Sequence, residues 1–166
     1  MMAAAQGKAE RTIMRISSAI EKTAKANSIT IEKLERNSSE KIKSQIYHKY
    51  IKMKKGIFLW EKFEKFSTLQ DSAGWKLLSD FVGEKECLMF FENGDNTIIR
   101  IRNGSDLHSL LYEMFGFEFY ITNFETDYVL CFNHHDCLVG CGTAKAWIEE
   151  VDKERIEQGC EYGINA

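Results

Sequence analysis

The 166-residue chain contains no proline, where ordinary usage of about 5% predicts roughly eight. That absence excludes Pro-rich linkers and the breaks that proline forces on helices and inner strands. No stretch approaches the roughly 18 consecutive apolar residues of a membrane span. The first twenty residues carry Glu10, Arg11 and Arg15 and lack the apolar core of a secretory signal. The glycine patterns that cradle phosphates, GxGxxG and GxxxxGK, are missing, and no nucleotide or other cofactor is expected. There is no C-x2-C pair, and five cysteines make an odd set without framework spacing. A reduced, cytoplasmic chain is the expectation.

What is present is enough for a core: 44% hydrophobic and 12% aromatic residues. Charge is unevenly divided. Residues 1–70 carry 15 Lys and Arg against 7 Glu, a net +8. Residues 71–166 carry 7 against 18, a net −11. Such asymmetry suits a basic arm for a polyanion, or two halves that attract each other.

Apolar spacing predicts helices in the first part. Ile13, Ile16 and Ile20 mark one over 10–26. Thr30 caps a second, with Ile31 and Leu34 as its apolar face. Ser39 starts a third, with Ile42, Ile46, Tyr50, Met53 and Ile57 at spacings of three and four. Phe58, Trp60, Phe63 and Phe66 read as a helical aromatic face, and 67–74 as a connection. A short helix from Trp75 closes at Gly83.

The period then changes. Cys87–Glu92 reads as a strand buried on both faces, Asn93–Asn96 as a turn, and Thr97–Arg102 as the returning strand. Ser105 or Asp106 caps a helix closed by Gly116. Strands Phe117–Asn123, Asp127–Phe132 and Cys137–Cys141 follow, the last two joined by the turn Asn133-His134-His135-Asp136. Thr143 caps a final helix ending at Gly159. The expected fold class is α+β: a basic helical region, 1–66, then a mainly antiparallel ββαβββα sheet domain, 67–166, with helices covering one face. The two parts either stand apart or share one core.

Three places could carry function. Around the 133–136 turn, Cys131, His134, His135 and Cys137 are candidate metal ligands, with Cys141 nearby, because imidazoles and thiolates suit zinc. The same turn could serve a thiol enzyme, with His134 or His135 as base, Asp136 as orienter and Cys87 or Cys160 as nucleophile. The ordinary reading is a hairpin whose cysteines fill apolar space. As a contact surface, the turn predicts Asn133 and Asp136 holding its shape, one imidazole pinned and the other exposed. The second place is the lysine face of the third helix, 41–55: Lys41, Lys43, Lys49, Lys52, Lys54 and Lys55, placed to follow the phosphate backbone of a nucleic acid or simply solvated. The third is the acidic set Glu84, Glu86, Glu92, Asp95, Glu118, Glu125 and Asp127, which suits a basic protein partner.

From Glu118-Phe119-Tyr120-Ile121 through Asp127-Tyr128-Val129-Leu130-Cys131-Phe132-Asn133-His134-His135-Asp136, the chain resembles a group of small uncharacterised bacterial proteins. Their pattern is an aromatic strand, a second strand, Asn-His-His-Asp and an apolar strand with glycine. With the helix at Trp75, the resemblance spans residues 72–148. The chain is also loosely similar to α+β immunity proteins of bacterial toxin systems, including the cell-wall-assembly-regulator-like superfamily. That similarity implies a non-enzymatic protein that binds a toxin-like partner. The expected contact residues are Asn133, His134, His135 and Asp136, with Glu118, Tyr120 and Asp127 on an acidic sheet face.

Overall fold

A computed structural model of the chain describes residues 16–52, 55–92, 97–114 and 116–163, with side chains to residue 159. Its frame is one seven-stranded sheet. The strands are β1 (Ile31–Lys33), β2 (Ser67–Gln70), β3 (Cys87–Phe90), β4 (Ile99–Ile101), β5 (Phe119–Thr122), β6 (Tyr128–Phe132) and β7 (Cys137–Gly142). They lie in the order β1-β4-β3-β5-β6-β7-β2, and every neighbouring pair is antiparallel. The helices are α1 (residues 16–26), α2 (Arg36–Tyr50), α3 (Leu78–Val82), α4 (Leu107–Tyr112) and α5 (Thr143–Gly163). This is the α+β fold with the ββαβββα order that the period change indicates.

The sheet is buried on both sides, and the two-residue period of a strand sorts its side chains. Cys87, Met89, Ile99, Ile101, Phe119, Ile121, Leu130 and Leu138 face α1, α3, α4 and α5 in one core. Leu88, Phe90, Ile98, Tyr120, Val129, Cys131, Val139 and Cys141 form a second core under Ile42, Ile46 and Phe63. Four helices therefore cover one face, and α2 with the 58–63 segment covers the other. The acidic residues have no open sheet face to occupy. This corrects the expected contact surface: a partner can reach the sheet only at its ends and edges.

Several local expectations give way to tertiary pairing. Residues 31–33 form edge strand β1, not a helix: Thr30 O accepts Arg102 N–H at 3.3 Å, and Leu34 N–H donates to Ile98 O at 2.8 Å. Two apolar residues three apart are too short a signal to outweigh those bonds. Helix α2 begins at Arg36, so Ser39 lies buried inside it. It stops at Tyr50, after which Ile51 bridges Phe63, leaving Ile57 84% exposed. The 58–66 stretch is irregular around a 3-10 turn, Trp60–Lys62. The supposed connection after it contains β2, paired with β7. The N-terminal 66 residues thus supply β1 and α2 to the same layered body.

Elsewhere Gly83 ends α3 as expected, with φ +63°. Asn103 caps the 3-10 turn Gly104–Asp106 that leads into α4, its side chain accepting Ser105 N–H; Asp106 is the N-cap residue of α4 but makes no side-chain capping bond. Helix α5 continues through Gly159 to Gly163. The expected turn at 93–96, together with Met53 and Lys54, lies outside the described residues.

Candidate functional site at one end of the sheet

The β6–β7 hairpin closes with a type I-like turn in which Asp136 N–H donates to Asn133 O at 3.1 Å and Asn133 N–H to Cys137 O at 3.0 Å. Asp136 takes φ +57°, the left-handed position that glycine commonly fills and that Asp tolerates. The Asn133 side chain is almost wholly buried. Its Oδ1 accepts the N–H groups of His135 at 3.0 Å and Cys137 at 3.2 Å. Asn133 thus shapes the loop from inside, while both imidazoles emerge at the surface.

Glu118, just before β5, is the hub beside this turn. Its Oε2 lies 2.9 Å from His134 Nδ1 and accepts Trp60 Nε1–H at 3.3 Å. Its side chain is only 14% exposed. Below it the Tyr120 hydroxyl donates to Glu92 Oε2 at 2.6 Å and lies 3.2 Å from Glu118 Oε1. Trp60 N–H reaches the same hydroxyl at 3.4 Å. Burial first, and the neighbouring negative groups second, hold the Tyr120 phenol far above its ordinary pKa. The hydroxyl therefore stays protonated and donates to Glu92, with Glu118 close beside it at the end of the sheet.

Aromatic rings frame these carboxylates. Phe58 packs on His134 at 4.9 Å between centroids, and Phe58 stacks on Trp60 at 6.0 Å. His135 meets Trp60 edge-on at 6.0 Å. The Phe58–Trp60 segment is itself fastened by Glu61, whose Oε2 accepts Ile57 N–H at 2.7 Å and Phe58 N–H at 3.0 Å. Those two backbone bonds hold the Glu61 carboxyl below its usual range. The result is a notch of about 230 Å³ lined by Phe58, Glu92, Phe117, Glu118 and His134, among others.

The expected site residues are therefore divided. Asn133, His134, His135 and Glu118 meet here. Tyr120 is fully buried, so it positions the carboxylates and offers no contact of its own. Asp136 lines a different cavity, with Trp75 and Phe132. Asp127 precedes the opposite end of β6, roughly 20 Å from Asn133 at about 3.3 Å per residue. There it bonds Asn123.

The metal and thiol readings lose their geometry. Among the described residues, no group of three or more His, Cys, Asp or Glu side chains can hold a metal ion. Cys131 sits in the second core, where burial raises its thiol pKa well above normal. Cys137 is half-buried, and burial raises it too. Cys87 is enclosed in the first core and pushed up to about 12 by burial, which makes it a poor nucleophile. Cys160 has no described side chain.

The lysine face is partly consumed by the fold. Lys43 Nζ lies 5.7 Å from the Phe90 ring centroid. Lys49 donates to the carbonyls of Glu125 and Thr126, and Lys52 pairs with Glu64 at 2.7 Å. Lys41 and Lys55 are exposed. The acidic set is thinned as well, since Arg100 binds Glu86 and Glu32.

Phe58 and Trp60 were not legible as site residues, because an aromatic cluster at near-helical spacing reads as core. Glu92 was visible only as one acid among several. Residues 12–152 match the model of a family described as "Family of unknown function (DUF6756)", and the chain belongs to that family. No curated protein and no solved structure matches the chain.

Proposed function

We propose that this DUF6756 member is a non-enzymatic, cytoplasmic protein-binding module that receives a basic segment of a partner at the notch beside the 133–136 turn. One observation carries the reading: Glu92 and Glu118 are drawn together over a single buried hydroxyl and ringed by Phe58, Trp60 and His134. Paired carboxylates accept a guanidinium or ammonium group through charge-assisted bonds, and aromatic faces attract the same cations. The pre-bonded network also lowers the ordering cost that a flexible acidic surface would incur. The net charge of −11 over residues 71–166 favours capture of a basic partner. A toxin-type partner, with this chain as its immunity protein, is the specific form of the proposal.

Fluorescence anisotropy with labelled Arg/Lys-rich peptides and their Asp/Glu-rich counterparts tests it. The basic peptides should bind, weaken with salt, and lose at least about tenfold in affinity when Glu92→Gln and Glu118→Gln are combined. Equal affinity for acidic and basic peptides, or indifference to the double substitution, would overturn the proposal.

A further inference from the structure

A second cavity, of about 220 Å³, opens on the other side of the sheet from the second core, and the notch reading does not use it. Its walls include Trp75, Leu111, Phe119 and Phe132, and its polar lining is Ser72 and Asp136. The aromatic walls form a continuous set: Phe117 lies 5.5 Å from Phe119, and Phe119 lies 6.2 Å from Phe132, centroid to centroid. Trp75 belongs to a second group with His108 and Tyr112.

Among the described residues, Asp136 is the only charged one in this lining. Its backbone is fully committed: N–H to Asn133 O, and C=O to Asp71 N–H and Gln70 Nε2. Among the described residues its carboxylate takes part in no hydrogen bond or ion pair. Two cations on neighbouring elements are engaged elsewhere: Arg155 binds Asp71 at 2.7 Å, and Lys76 lies 5.6 Å from the Trp75 ring centroid without lining the cavity. A small aromatic chamber with one exposed carboxylate at its mouth is complementary to one kind of molecule. Such a molecule has an apolar ring for the walls and a positive charge on a short tether for the mouth.

We propose that this cavity is a binding site for a small arylalkyl ammonium compound, its ring among Trp75, Phe119 and Phe132 and its ammonium on Asp136. The polar groups of the two sites are separate, because Glu92 and Glu118 do not line this cavity, although Gly116 and Phe117 border both. The carboxylate selects the charge, and the aromatic walls favour a ring.

Calorimetric titration of the full chain with phenethylamine, 2-phenylethanol and 3-phenylpropionate tests the proposal. The amine should bind, the neutral alcohol at least about tenfold more weakly, and the carboxylate weakest of all. Asp136→Asn keeps a residue that tolerates φ +57° and so preserves the turn. It should bring the amine down to the level of the alcohol. Met114→Trp, which fills the chamber, should abolish binding of both, and Glu118→Gln should leave both unchanged. Equal binding of the three probes, no binding of the amine, or an unchanged amine affinity in Asp136→Asn would each overturn it.

Discussion

His134 and Glu118, sixteen positions apart in sequence, meet at 2.9 Å across the end of the sheet. The contact joins the β6–β7 turn to the start of β5, and Trp60 closes it from a third segment. Glu118→Ala leaves the indole N–H and the imidazole without their acceptor. We expect a loss of about 1–2 kcal/mol in urea unfolding, with Tyr120→Phe costing a similar amount. Their double mutant should lose less than the sum, because both act on one network. Strict additivity would show that the two groups are uncoupled.

Asn133→Ala tests the turn from within. The substitution removes the acceptor of two backbone N–H groups, so a loss of about 1–2 kcal/mol is expected. Faster amide exchange at His135 and Cys137 is the specific signature. Unaltered protection at those two amides would show that water replaces the side chain without cost.

Two glycines with the same φ meet different surroundings. Gly142 and Gly83 both have φ +63°. A Cβ on Gly142 would collide with Asp127 O and come within 2.6 Å of Tyr50 Oη, whereas nothing lies within 4 Å at Gly83. Gly83→Ala should therefore cost only the backbone strain of φ +63°, ψ −145°, a conformation essentially confined to glycine, about 1–3 kcal/mol. Gly142→Ala should cost more than about 3 kcal/mol, since backbone must move as well. Equal melting shifts would contradict this geometry.

Asp71 links the chain after β2 to α5. Its carboxyl lies below the usual range, chiefly through the Arg155 side-chain bond, with Ala73 N–H contributing. A lowered folded pKa means stability that is present above the unfolded value, about 3.9. That stability is lost as pH falls through the lower, folded value. Arg155→Gln should reduce stability at pH 7 by up to about 1 kcal/mol, and the gap should close in strong acid. A gap that stays constant from pH 7 to pH 2 would assign the effect to packing.

Thiol labelling should follow burial. Cys87 and Cys141 are each raised to about 12 by desolvation, and Cys131 is raised by the same cause. At pH 8, site-resolved mass mapping should find Cys137 modified first among these four, with the others protected until the chain unfolds. Rapid native-state labelling of Cys131 would mean that the second core opens.

Much of the layered body was readable in the chain. The strand pattern of Phe119–Thr122 and Tyr128–Phe132, the hairpin at 133–136 and the helix closed by Gly83 are local features, written in a period of two or in residues tolerant of positive φ. They needed no knowledge of partners. The edge strands resisted. Ile31–Lys33 and Ser67–Gln70 are short and half polar, and only their bonds to β4 and β7 make them strands.

The same division holds for the candidate site. Residue order alone placed a polar, imidazole-bearing turn between two buried strands and an acidic surplus in the second half. Tertiary structure decided that Tyr120 is hidden, that Asp127 stands at the far end, that Phe58 and Glu92 complete the notch, and that Trp60 bonds its Glu118 wall. Periodicity records which way a side chain points from its own backbone. It carries no information about which distant segment arrives to meet it, and this notch is walled by five separate stretches of chain, at residues 16, 58, 92, 116–118 and 134.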